Sequence, residues 1–127
     1  MDSIRTLKLG AWEVLVARDR EAQARLFSQS GPKDFLFRFQ GGEPDCIGVL
    51  RADELFKMPR AMLRKAGEAI AWDCKLPPDK SFRFEWCQIG NAAMDPGDPP
   101  SAIRAVEWRQ VTVQPRPPAE SSQKENW

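Results

Sequence analysis

The sequence contains no histidine and no tyrosine among its 127 residues. The absence of histidine removes the most frequent general base, the commonest metal ligand and the partner that activates serine or cysteine nucleophiles. Without tyrosine, the rings are phenylalanines and tryptophans, which offer no hydroxyl chemistry. The chain also lacks the glycine-rich phosphate-binding motifs of dinucleotide-binding proteins and P-loop enzymes. These absences predict a protein that is not an enzyme and has no cofactor or metal.

Cysteine is scarce, with an odd number of residues that are widely spaced and form no Cys-x-x-Cys pair. They are Cys46, Cys74 and Cys87. A disulfide framework and a zinc site made of cysteines alone are therefore not expected. No apolar run approaches the roughly 18 residues that a transmembrane helix needs, and the first residues lack a signal-peptide pattern. Together these features predict a cytoplasmic protein with no membrane partner.

Neither sign of charge is in excess, because the chain has 19 basic and 18 acidic residues and its net charge is +1. No global field therefore draws the chain toward nucleic acid or a membrane surface. Hydrophobic residues make up 42% of the sequence and charged residues 29%, which is typical of a globular protein. The length fits one domain with a single core.

Alternating apolar and polar residues predict a protein rich in strands. The predicted strands cover residues 4–9, 11–17, 34–40, 46–51, 81–89 and 102–114. Apolar residues recur every three to four positions over 59–72, which predicts a helix there. Residues 11–29 allow two interpretations: a strand followed by a helix that Asp19 caps, or one long helix. We favour the first, because Val14 and Val16 are β-branched and stiffen a helix.

These elements predict an α+β fold, with a mostly antiparallel sheet and one or two helices packed on one face. The globular domain is predicted over residues 1–114. Residues 115–127 are rich in proline, serine and charge, and are predicted to form a disordered tail. In the last strand the apolar set changes face between Trp108 and Val111, which predicts a bulge near Gln110.

Two of the predicted strands carry rows of aromatic rings at alternate positions. The rows are Phe35, Phe37, Phe39 and Phe82, Phe84, Trp86. Such rows form either a core or a platform on which nucleic-acid bases stack. A platform needs rings and cations on one accessible surface, but alternation sends Arg38 and Arg83 to the opposite, solvated face. We therefore predict that the rings form the core.

A cluster of basic residues lies on the predicted helix and just before it, and the chain ends in a lone aromatic residue. The candidate binding residues are Lys57, Arg60, Arg64, Lys65 and Trp127. Arg60 and Arg64 are neighbours one helical turn apart and have the charge to contact phosphates. Because the whole chain is nearly neutral, a solvated helix face is the simpler interpretation. Trp127 is of interest because tryptophan is enriched at binding hot spots.

Other reactive groups show no spacing that selects a site. Asp95 and Asp98 share a proline-rich loop but lack the remaining ligands of a calcium-binding loop. Cys87 needs a neighbouring cation to lower its thiol pKa before it acts as a nucleophile. The acids considered by residue type alone are Glu68, Glu85 and Glu107.

The sequence therefore favours a small interaction module that acts as a regulator, adaptor or inhibitor of a protein partner. Small accessory proteins of bacteria, phages and mobile elements share this profile, which is an argument by analogy. The alternative hypothesis is nucleic-acid binding through the basic helix around residues 57–72.

Overall fold

The computed structural model describes residues 4–39, 46–52, 58–95 and 98–118. Within these ranges the helices are α1 (Arg20–Gln29) and α2 (Arg60–Asp73). The strands are β1 (Ile4–Leu9), β2 (Trp12–Ala17), β3 (Phe35–Phe39), β4 (Ile47–Leu50), β5 (Phe82–Gln88), β6 (Ala92–Ala93), β7 (Arg104–Ala105) and β8 (Arg109–Val113). Short 3-10 turns span Ile89–Asn91 and Pro100–Ala102.

Six strands form one antiparallel sheet in the order β1-β2-β4-β3-β5-β8, and β6 pairs with β7 in a small second sheet. The β1–β2 hairpin turns at Gly10, whose φ of +62° lies in the left-handed region that glycine tolerates. At the centre of the sheet, Gly48 pairs with Phe37. A Cβ at Gly48 would collide with the side chain of Ile70, so the missing side chain lets α2 pack close to the sheet.

The sheet is covered on both faces. Side chains that alternate along β2 separate the two layers, since Val14 and Val16 face α2 while Leu15 and Ala17 face α1. The layer under α2 also contains Leu50, Ala66, Ile70, Phe84 and Val113. The layer on the α1 face contains Leu26, Leu36, Val49, Ile89 and Ile103.

The predicted fold class, an α+β domain with an antiparallel sheet, is confirmed, and α2 covers the sheet face that bears the rings. Phe37 and Phe84 are fully buried, and the other four rings pack against the same cluster, so the ring rows belong to the core. The second helix does not share that face, because α1 packs on the opposite side.

Residues 11–29 form a strand and then a helix, as we favoured. The side chain of Asp19 caps α1 by accepting a hydrogen bond from the Ala22 N–H at 2.8 Å. Ala22 and Leu26, four residues apart, are both buried on the face of α1 that meets the sheet.

The bulge predicted near Gln110 is wrong. The chain instead changes sheets, because β7 belongs to the small sheet and β8 to the edge of the large one. Trp108 packs with the layer on the α1 face and Val111 with the layer under α2. The change of apolar face therefore marks the passage between two sheets.

The expectation that cysteines form no disulfide is wrong for one pair, since Cys46 and Cys74 are bonded across a separation of 28 residues. Cys46 precedes β4 and Cys74 follows α2, and packing of the helix on the sheet brings them together. Of the predicted tail, residues 115–118 are described, and the Arg116 N–H donates to the Glu68 carbonyl at 3.1 Å. Residues 119–127 lie outside the described ranges.

Candidate functional site

Helix α2 carries exposed basic residues and, near its C-terminal end, an exposed aromatic ring. Three of the predicted binding residues, Arg60, Arg64 and Lys65, are exposed on α2. Lys57 and Trp127 lie outside the described residues. Trp72 follows Lys65 by seven residues, or two turns, so it lies on the same face, and it is 43% exposed. The sequence reasoning did not select Trp72, although its place in the helical repeat was a usable signal.

A pocket of about 610 Å³ opens beside Trp72 at the C-terminal end of α2. We call it the Trp72 pocket, and its lining residues are Arg5, Leu7, Arg18, Trp72, Asp73, Lys75, Leu76, Pro77, Pro78 and Pro118. β1 supplies Arg5 and Leu7, which are two residues apart on a strand and so point to the α2 side of the sheet. The pocket therefore combines an indole, aliphatic and proline walls, and three cations.

The one carboxylate among the lining residues is already paired. Asp73 is buried, with a side chain only 7% exposed, and its Oδ1 lies 2.9 Å from Nε of Arg5. Its Oδ2 is buried without a hydrogen-bond partner among the described residues. Arg18 and Lys75 are exposed, and neither has an acidic partner in the described part of the chain. The accessible charge at the pocket is therefore positive.

The backbone that follows α2 holds Lys75 in an unusual conformation. Lys75 has a φ of +63° and donates its N–H to the Trp72 carbonyl, while the Leu76 N–H reaches back to the Ala71 carbonyl. This is the Schellman motif that ends many helices, and glycine is the residue usually found at the left-handed position. A non-glycine residue there costs about 1–2 kcal/mol. The adjacent Cys74 is tied to Cys46 by the disulfide.

Arg38 does not lie on a solvated face, contrary to the sequence prediction. Its Nε contacts Glu85 Oε1 at 2.8 Å, and the two side chains are only 15% and 13% exposed. One of its terminal nitrogens donates to the carbonyls of Pro100 and Ile103, and its guanidinium lies 3.9 Å from the centroid of the Trp108 ring. Arg38 therefore fastens the 100–108 segment onto the sheet.

The remaining reactive candidates have structural or surface environments. Burial raises the pKa of the Cys87 thiol to about 11, against an opposing effect of Arg38, so the thiol stays protonated at neutral pH. Asp95 forms an exposed ion pair with Arg104 at 3.9 Å. Among the described residues no group of three or more histidine, cysteine, aspartate or glutamate side chains is placed to hold a metal ion.

Comparison with protein families finds no matching family, and comparison with curated proteins finds no match. A solved structure, the C-terminal part of the fibronectin/fibrinogen-binding protein from Streptococcus suis, matches with a TM-score of 0.70 and 15% sequence identity. The two share a fold. The match covers 91% of this chain but only 46% of that one. No helix in the described ranges is long and apolar enough to cross a membrane.

Proposed function

We propose that this domain is a protein-interaction module whose binding surface is the Trp72 pocket. The observation that carries the proposal is the 43% exposure of Trp72 beside a concave, partly apolar site. Tryptophan and arginine dominate the energetically important positions of protein interfaces, whereas a monomer normally buries so large a ring. The module acts as a regulator, adaptor or inhibitor of its partner.

The fold supports the same class of function. The domain that shares it belongs to a protein named for binding fibronectin and fibrinogen. The proposal includes no catalysis, because the lining residues offer only one carboxylate and Arg5 already binds it. The cytoplasmic location stays a prediction from the sequence. The Cys46–Cys74 disulfide argues against it, since disulfides persist mainly in oxidising compartments.

The test is a quantitative pull-down from the native cell with the full chain, the Trp72→Ala variant and a control. Val106→Ala is the matched control, because Val106 is 86% exposed and lies outside the pocket lining. We expect the same specific protein to be recovered with the wild type and the control but not with Trp72→Ala. Recovery of that protein with all three chains, each shown to be folded by circular dichroism, contradicts the proposal.

A second candidate function is binding of single-stranded nucleic acid. It is favoured by the exposure of Arg60, Arg64 and Lys65 on α2, the helix that also carries the exposed ring of Trp72. Single-strand binders combine a stacking ring with cations along one groove. Fluorescence anisotropy with a 20-nucleotide DNA and an RNA of the same sequence tests it. The combined Arg60→Glu and Arg64→Glu variant must then abolish a binding that weakens steeply with salt.

A further inference from the structure

We infer that the Trp72 pocket binds an acidic segment of the partner protein, in which carboxylates flank an apolar side chain. This inference rests on the proposed function and specifies the chemistry of the partner. The apolar side chain packs against the ring of Trp72, and the carboxylates contact Arg18 and Lys75.

The first argument is charge complementarity. Three cations line the pocket, and the one carboxylate, Asp73, is 7% exposed and bound to Arg5. Arg18 and Lys75 therefore supply an accessible positive charge on a chain whose net charge is only +1. An arginine guanidinium binds a carboxylate through two parallel hydrogen bonds, which makes acidic side chains its natural partners in proteins.

The second argument is the shape and lining of the site. Its volume of about 610 Å³ is within the range of clefts that bind small ligands, and so is large enough to accept a side chain of a partner. Leu7, Leu76 and three prolines surround the ring of Trp72, so the walls favour an apolar group. A partner segment that was acidic throughout would leave these walls without contacts.

The third argument is the backbone at Lys75. Its φ of +63° suits glycine, yet the position carries a lysine, and this residue lines the pocket. Residues held in sparsely populated backbone conformations cluster at functional sites. The conformation of Lys75 is therefore consistent with a role of this residue in binding at the pocket.

A peptide fits the pocket better than a nucleic acid does. Nucleic-acid affinity grows with the number of phosphates that the protein neutralises, and only two cations of the pocket lack an acidic partner among the described residues. Arg64 precedes Trp72 by eight residues, which places it about 12 Å further along the helix axis. The cations of α2 are thus set back from the pocket itself.

The experiment is a selection of phage-displayed random 12-residue peptides on the immobilised, oxidised full chain. Peptides that survive subtraction on Trp72→Ala are synthesised with a fluorescent label, and their affinities are measured by anisotropy. The charge variants are Arg18→Glu and Lys75→Glu. Arg83→Glu is the matched control, because Arg83 is exposed on β5 and does not line the pocket.

We expect peptides rich in aspartate and glutamate beside an apolar residue. Arg18→Glu and Lys75→Glu should each weaken their binding at least about tenfold, while Arg83→Glu leaves it unchanged. Lys75→Gly should raise the melting temperature and still weaken binding, which separates the role of the side chain from that of the backbone.

Three results overturn the inference. Peptides that need Trp72 but are not acidic, and that bind both charge variants normally, refute the acidic partner and leave the interaction module intact. A selection that returns no peptide dependent on Trp72 refutes the inference and the proposed pocket together. The third result is that no peptide binds, whereas an oligonucleotide binds with micromolar affinity and Trp72→Ala abolishes that binding. This result would replace both the acidic partner and the interaction module with the nucleic-acid function.

Discussion

Replacement of Lys75 by glycine should stabilise the domain. The left-handed conformation at φ +63° costs an ordinary residue about 1–2 kcal/mol and glycine nearly nothing. Glycine loses roughly 0.5–1 kcal/mol more backbone entropy on folding, so the net gain in the free energy of unfolding is about 1 kcal/mol. In a domain of this length, such a gain raises the melting temperature by about 4 °C.

Urea titration followed by circular dichroism measures this change, and Lys75→Ala is the matched control. Alanine removes the ammonium group and keeps the steric penalty, so we expect its unfolding free energy to stay close to that of the wild type. The reasoning is refuted if the glycine variant is no more stable than the alanine variant. A gain shared by both variants would mean that charge repulsion, and not the backbone, destabilises the helix end.

Three further predictions concern the core and its cross-links. Reduction of the Cys46–Cys74 disulfide should lower the free energy of unfolding by about 3.5 kcal/mol, as loop closure across 28 residues implies, and a chemical-denaturation midpoint that does not move contradicts this. Arg38→Met should lower the free energy of unfolding by about 3 kcal/mol, because it leaves the nearly buried Glu85 without its partner. In a double-mutant cycle, the combined Arg38→Met and Glu85→Leu variant should recover part of that loss. The thiol of Cys87 should resist a thiol-reactive reagent at pH 8, because burial raises its pKa to about 11, and it should react once urea unfolds the chain. Rapid labelling of the folded protein would contradict this prediction by showing that the thiol is accessible.

Much of the fold was predictable, because the strands and helices are encoded by local patterns. Alternating side chains mark β3 and β5, the helical repeat marks α2, and Asp19 marks the start of α1. The side of the sheet on which α1 packs was not predictable, because both sheet faces are apolar and an amphipathic helix fits either one. The disulfide was missed since the pairing of Cys46 with Cys74 depends on how α2 lies on the sheet.

The candidate site could be derived from the sequence only in part. Arg60, Arg64 and Lys65 are exposed on α2, which the helical repeat alone indicates. The Trp72 pocket is built from separate segments at β1, the end of β2, the end of α2 and residue 118, so no local pattern contains it. The structure adds the burial of Asp73 against Arg5, which leaves the accessible charge of the pocket positive.

The central claim is that Trp72 anchors a protein partner, and the most direct test is the affinity of the full chain for a peptide selected on the wild type alone, without subtraction on the Trp72→Ala variant. The account predicts that Trp72→Ala weakens this affinity at least about thirtyfold, the loss expected of a hot-spot residue. The free energy of unfolding should fall by about 2–3 kcal/mol, because the ring is 43% exposed and its buried part loses its packing. Equal affinities for the folded wild type and the folded variant would contradict the account.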